Sequence, residues 1–332
     1  MRAPEFWNLD RNGRSSWRGR LLAPLGAVYA AATRHRLAQG PRQTVGVPVI
    51  CVGNLNAGGT GKTPTVIWVV ETLRDAGHTP HVVTRGHGGS LSGPVSVDPA
   101  THKAADTGDE PLLLAAFAET WVSKDRAAGA KAAAAAGATV IVLDDGFQNP
   151  ALHQDFALIV ADADKGFGNG FCIPAGPLRE PASTGLARAD HLLTLGEDMA
   201  QDRFTKLWGE LPIPRAQGAL HPLKTGMDWQ GLKVLAFAGI GHPDKFFSSL
   251  RSEGADLLRA EPLDDHQPFT TALLSRLEND ARSLGAQLVT TEKDAVRLPL
   301  AFRSKVITLP VRLKINEAET LTKTLLAAAP AP

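Results

Sequence analysis

Cysteine is scarce in this 332-residue chain: Cys51 and Cys172 are the two it has. Two thiols exclude a disulfide scaffold and a cysteine-built zinc site, and they fit a reducing compartment. Tyrosine occurs once, and aromatics make up 6% of the residues. Net charge is small as well, +1 at pH 7, which argues against a protein that coats nucleic acid. The uncharged run in the N-terminal part, Leu21 to Thr33, has 13 residues, short of the roughly 20 a membrane-spanning helix needs. No small-residue cleavage site follows it, so it does not read as a signal peptide.

What remains is ordinary globular composition, 43% hydrophobic and 21% charged with 32 Gly and 23 Pro. The length exceeds the roughly 250–300 residues at which one core stops growing, so two domains are expected. Charge is unevenly spread. Residues 1–44 hold eight arginines against Glu5 and Asp10, a net of +6, and the remainder carries −5. Within that head, Leu21, Leu22, Leu25, Val28, Tyr29 and Ala32 recur at helical spacing, with Trp7 and Trp17 upstream. An arginine-flanked apolar helix suits the interface of an anionic membrane, or else docks on the protein's own core. Pro24 predicts that its regular part begins near that residue.

Val47–Val52 is a β-branched run that leads into Asn56-Ala57-Gly58-Gly59-Thr60-Gly61-Lys62-Thr63, and Thr65–Leu73 reads as a buried helix. Strand, glycine loop, Lys-Thr and helix together form the context of a P-loop. Glycines let backbone N–H groups converge on phosphate oxygens, Lys62 reaches the terminal phosphates, and the Thr63 hydroxyl suits Mg²⁺. Asn56 occupies the position usually held by the first glycine, and asparagine tolerates a left-handed backbone better than most residues.

A second buried strand, Thr139–Leu143, ends in Asp144-Asp145-Gly146, the arrangement that sets a carboxylate beside a P-loop metal. Gln148 follows closely enough to join that shell. Strand-like runs at 81–84, 156–161, 191–195, 234–238 and 287–290 alternate with helical ones. This pattern predicts an α/β fold with a doubly wound, largely parallel sheet whose site lies beyond the strand ends. The proline-punctuated stretch 211–224 reads as a connector. The expected organisation is a helical head over 1–44, a P-loop domain over 45–224 and a smaller α/β domain over 225–332 that closes over the site.

Several loops carry a more specific likeness: V-G-N-L-N-A-G-G-T-G-K-T-P (52–64), T-R-G-H-G-G (84–89), T-G-D-E-P (107–111), D-D-G-F-Q-N (144–149), G-N-G-F-C-I-P-A-G-P-L-R-E-P (168–181), A-F-A-G-I-G-H-P-D-K-F-F (236–247), D-H-Q-P-F (265–269) and T-T-E-K-D-A (290–295). In this order they resemble the tetraacyldisaccharide 4′-kinases, the lipid A kinases of Gram-negative bacteria. His87 and Asn149 depart from that family's Tyr and His, whereas Asn56 does not depart.

The resemblance implies an ATP- and Mg²⁺-dependent enzyme that phosphorylates the 4′-hydroxyl of a tetraacyl glucosamine disaccharide 1-phosphate, giving lipid IVA. It also implies a peripheral location on the cytoplasmic face of the inner membrane, with the head on an anionic surface. Asp109 is then the catalytic base and His266 its partner from the second domain. Thr63, Asp144, Asp145, Gln148 and Glu180 are candidates for the metal, Glu180 alternatively for Arg179. Arg126 and Arg179 suit phosphate oxygens of ATP or of the acceptor. The competing reading is a P-loop NTPase acting as a nucleotide-dependent switch.

Overall fold

A computed structural model describes residues 4–9, 15–40, 42–265 and 267–331. Its strands are β1 (Val49–Gly53), β2 (Pro80–Thr84), β3 (Val95–Ser96), β4 (Thr120–Val122), β5 (Val140–Asp144), β6 (Phe156–Asp162) and β7 (His191–Leu195). There follow β8 (Arg215–Pro222), β9 (Lys233–Ala238), β10 (Asp256–Pro262), β11 (Gln287–Thr291), β12 (Val306–Leu309) and β13 (Val311–Asn316). Among the described residues they form two sheets, ordered β13-β8-β7-β6-β1-β5-β2-β4-β3 and β10-β9-β11-β12. The small sheet is parallel throughout, and the large one is parallel except at its two ends, β3–β4 and β8–β13.

β1, β5 and β6 are buried along their whole length, as expected where helices cover both faces. Alternation along β1 sends Val49 and Cys51 to one face and Ile50 and Val52 to the other. Helix Lys62–Asp75 covers the second face with Val66, Val69, Val70 and Leu73. The alanine-rich helix Arg126–Ala135 covers the first. It lies so close that a Cβ on Gly129 would stand 2.6 Å from Ser123 Cβ and 2.9 Å from Val83 Cγ1. β1 pairs in parallel with both β5 and β6, so the loops leaving these three strands open at one edge of the sheet.

The head helix spans Trp17–Ala38 and starts on Ser16, whose side chain accepts from Gly19 N. Pro24 lies inside this helix, where the sequence placed it near the start. The reason is docking: Gly19 and Gly26 press on the 169–175 loop, and a Cβ on Gly26 would meet Cys172 O at 2.8 Å. Contacts on both sides of Pro24 offset its missing N–H, a defect of about 3 kcal/mol in an isolated helix.

Two further expectations are corrected. The stretch read as a connector contains β8, which pairs with β7 and β13. Pro212 and Pro214 precede the strand and Pro222 ends it, so none interrupts its ladder. The expected second unit, 225–332, is also narrower in the structure. Its sheet runs from Lys233 to Leu309, while β13 and helix Glu319–Ala328 return to the larger sheet, with Leu313, Leu321 and Leu325 in that sheet's core.

Candidate active site

The loop between β1 and helix Lys62–Asp75 has the backbone a phosphate cradle needs. Gly58 and Gly61 hold φ of 115° and 90°, a region that suits glycine. Added Cβ atoms at Gly58 and Gly59 would meet nothing within 4 Å, so the loop's tip faces open space. Its root is tied down by Asn54, which donates to Gly58 O (3.2 Å) and Thr60 Oγ1 (3.0 Å). Asn56 is not in the left-handed region. Its buried amide donates to Gly166 O at 2.9 Å, which anchors the loop to the turn after β6. That bond, rather than tolerance of an unusual backbone, explains asparagine here.

The turn after β5 stands beside this loop. Asp145 has φ of 54°, left-handed for a non-glycine residue, and its N–H donates to Val52 O. Lys62 Nζ lies 3.7 Å from Asp145 Oδ1. Arg179 grips the same carboxylate with two bonds, at 2.8 and 3.2 Å. The Lys62 ammonium and the Arg179 guanidinium outweigh burial and hold Asp145 below the usual carboxylate range. Asp144 differs. Burial, aided by the Glu110 charge, pushes it up to about 6 against the pull of Lys62, and Thr84 Oγ1 donates to it at 3.0 Å. Adjacent carboxyls are thus driven in opposite directions, a feature of functional sites.

Behind them, Gln148 Nε2 donates to Asn54 O (2.9 Å) and Glu180 Oε1 (3.1 Å). Both Glu180 oxygens accept from Arg188, at 2.7 and 2.8 Å. Arg126 is buried and donates to the carbonyls of Ser123 (3.0 Å) and Asp144 (3.1 Å), which places its charge beneath the carboxylate pair.

Asp109 opens the short helix Asp109–Leu114 and is buried. Its Oδ2 faces the second sheet's residues, 4.0 Å from Lys293 Nζ and 3.9 Å from Arg297 Nε. Glu110 lies 3.4 Å from Lys293 and also acts on Asp144. His266 lies outside the described residues. The structure therefore gathers Lys62, Asp144, Asp145, Gln148, Arg179 and Glu180 around the loop, with Asp109 on the wall shared with the second sheet. Sequence reasoning assigned no role to Thr84, Glu110, Lys293 or Arg297, although all but Arg297 sit in loops it singled out. Arg188 carried no signal, because its part depends on a carboxylate brought to it by the fold.

A glycine loop leaving the central strand of a parallel sheet, with a lysine and an acidic pair facing each other across it, defines an α/β P-loop protein of the phosphotransferase type. A family model for tetraacyldisaccharide-1-P 4′-kinase matches residues 18–329, and the chain belongs to that family. It is 59% identical to the tetraacyldisaccharide 4′-kinase of Dinoroseobacter shibae over 98% of this chain and 97% of that one. For the enzyme of the same name from a Jannaschia species the identity is 57%, over 96% of each chain. A crystal structure of LpxK from Aquifex aeolicus in complex with ATP has the same fold, with a TM-score of 0.74 at 24% identity, covering 94% of this chain and 99% of that one.

Proposed function

We propose that this protein transfers the γ-phosphoryl group of ATP to the 4′-hydroxyl of a tetraacyl disaccharide 1-phosphate, giving lipid IVA. The observation that carries this is the Lys62–Asp145–Arg179 cluster under an open glycine loop. Both cations rest on Asp145, at the side of the loop. When a triphosphate enters the loop, they are placed to turn to its oxygens, where negative charge spreads during transfer.

The oxygen donors here fit Mg²⁺, a hard ion that keeps several waters and takes one or two carboxylates. Among the described residues no three His, Cys, Asp or Glu side chains are grouped so as to hold a metal ion. Thr63, Asp144 and Asp145 would hold it, with Gln148 and Glu180 bracing them, and it would neutralise developing charge on the phosphates. Arg126 supplies buried charge under the pair.

On the acceptor side, Asp109 takes the proton of the 4′-hydroxyl onto its carboxylate. The alcohol oxygen forms the new bond to the γ-phosphorus, and the bond to the β,γ-bridging oxygen breaks with its electron pair leaving on ADP. His266, by its position in D-H-Q-P-F, is assigned to orient that carboxylate from the second unit.

The head supports an acyl-chain substrate. Trp17, Leu21, Leu25 and Val28 share one side of the helix and are between 56% and 70% exposed. Arg18, Arg20, Arg34 and Arg36 flank them, and among the described residues no helix is long and apolar enough to cross a membrane. The exposed apolar side and its arginines support the proposed peripheral position on an anionic membrane surface, assigned here to the cytoplasmic face of the inner membrane.

The test is incubation with MgATP and the tetraacyl disaccharide 1-phosphate, followed by the mass of the lipid. One added phosphate is expected with the parent protein and none with Lys62→Ala or Asp109→Ala. Nucleotide hydrolysis without a phosphorylated lipid would overturn the proposal in favour of a switch.

A further inference from the structure

The stretch T-T-E-K-D-A (290–295) closes β11 and opens the short helix that follows it. Each of its charged residues points a different way. Asp294 is fully buried and turns inward: it accepts from Gly239 N (3.0 Å) and Thr291 Oγ1 (2.8 Å), and Arg297 reaches it at 3.0 Å. Glu292 turns to the larger sheet, where Arg312 of β13 holds it at 2.9 and 3.2 Å. Between these two fixed points Lys293 is aimed at the first turn of helix Asp109–Leu114, 3.4 Å from Glu110 Oε1 and 4.0 Å from Asp109 Oδ2. Its side chain is 22% exposed. Burial alone would lower its affinity for a proton, but the Glu110 and Asp109 charges raise it, so Lys293 stays cationic.

Resting on the assignment of Asp109 as base, we infer that Lys293 is a positioning residue: its ammonium, carried by the second sheet, fixes the Asp109 carboxylate toward the acceptor hydroxyl. The cation acts on a group that works only in the transfer step, so its loss is felt in turnover rather than in nucleotide binding. The charge, more than the shape of the side chain, does this, so arginine substitutes for it. Arg297 stands almost as near to Asp109, at 3.9 Å, but donates to Asp294 and to the carbonyl of Gln267 and stacks on Phe269. It holds Gln267 and Phe269, and its removal disturbs more than the base.

The experiment compares the full-length parent with Lys293→Met, Lys293→Arg and Asp109→Asn by steady-state lipid phosphorylation, together with thermal unfolding. Lys293→Met should lower kcat by about ten-fold or more and leave KM for ATP within roughly two-fold. Lys293→Arg should recover most of that loss. A purely structural tie predicts instead that both substitutions lower the melting temperature alike, raise KM, and show no recovery with arginine. That pattern, or a Lys293→Met enzyme with kcat close to the parent while Asp109→Asn is inactive, overturns the positioning role and leaves the base standing. Near-normal turnover by Asp109→Asn removes the base itself and the inference with it.

Discussion

Asn56 and Arg179 make opposite predictions because one holds backbone and the other holds charge. Replacing Asn56 by glycine restores the usual P-loop residue, yet it removes the buried bond to Gly166 O and loosens the chain. Asn56→Gly should therefore destabilise the fold by about 1–2 kcal/mol in chemical denaturation. Arg179→Lys keeps the charge but forfeits the two-pronged grip on Asp145. It should leave stability nearly unchanged and lower kcat by about ten-fold or more in the lipid assay. A third prediction concerns His81, buried in β2. Burial, opposed in part by Glu119, holds its imidazole below the ordinary value of about 6.5. The unfolded chain then binds the proton more readily, so this contribution is complete above pH 6.5 and is lost as pH falls toward the lower folded value. The urea midpoint should drop between pH 7.5 and 5.5, and His81→Gln should flatten that drop.

At the scale of elements, the head helix shows what periodicity reveals and what it hides. Its apolar residues were legible, but their face was not, because the helix docks through glycines that carry no hydrophobic signal. Trp17, Leu21, Leu25 and Val28 consequently point outward, while Tyr29 and Ala30 pack on the core. Replacing Leu21 and Leu25 by glutamate should leave the melting temperature unchanged and weaken binding to anionic vesicles, as added salt also should. Undiminished, salt-insensitive binding would retire the interfacial role. β1, β5, β6 and β7 were legible for the opposite reason: strands buried on both faces must be short unbroken apolar runs. β8 and β13 carried no such signal because each is half exposed, β13 at the sheet edge and β8 next to it, and their pairing joins residues nearly a hundred positions apart. The nucleotide side of the site was readable because one continuous stretch carries loop, lysine and threonine. The Glu110–Lys293 contact was not, because the two sheets meet there only after both have formed.

For the whole molecule, the return of β13 decides how the two sheets communicate. The chain crosses between them after β8 and again at Pro310, just before β13, so both crossings run through one antiparallel ribbon. Ionic contacts elsewhere join loops of the two sheets: Lys245 lies 3.5 Å from Asp162 and 3.6 Å from Asp164, and Arg312 holds Glu292 across the ribbon's side. These are unequal by physical chemistry. Lys245 is 58% exposed, so solvent screens it and its removal should cost less than about 1 kcal/mol. Arg312 is 25% exposed, makes two bonds to Glu292 and stacks over Phe117 at 4.9 Å. Its loss strands a carboxylate that also accepts from Val311 N, and should cost roughly 2–3 kcal/mol. Because Glu292 precedes Lys293, Arg312→Leu should also lower kcat, whereas Lys245→Ala should not. Denaturation and lipid phosphorylation measured on the two variants side by side check this, and equal effects would mean that the ribbon side does not set the second sheet's place over the reaction.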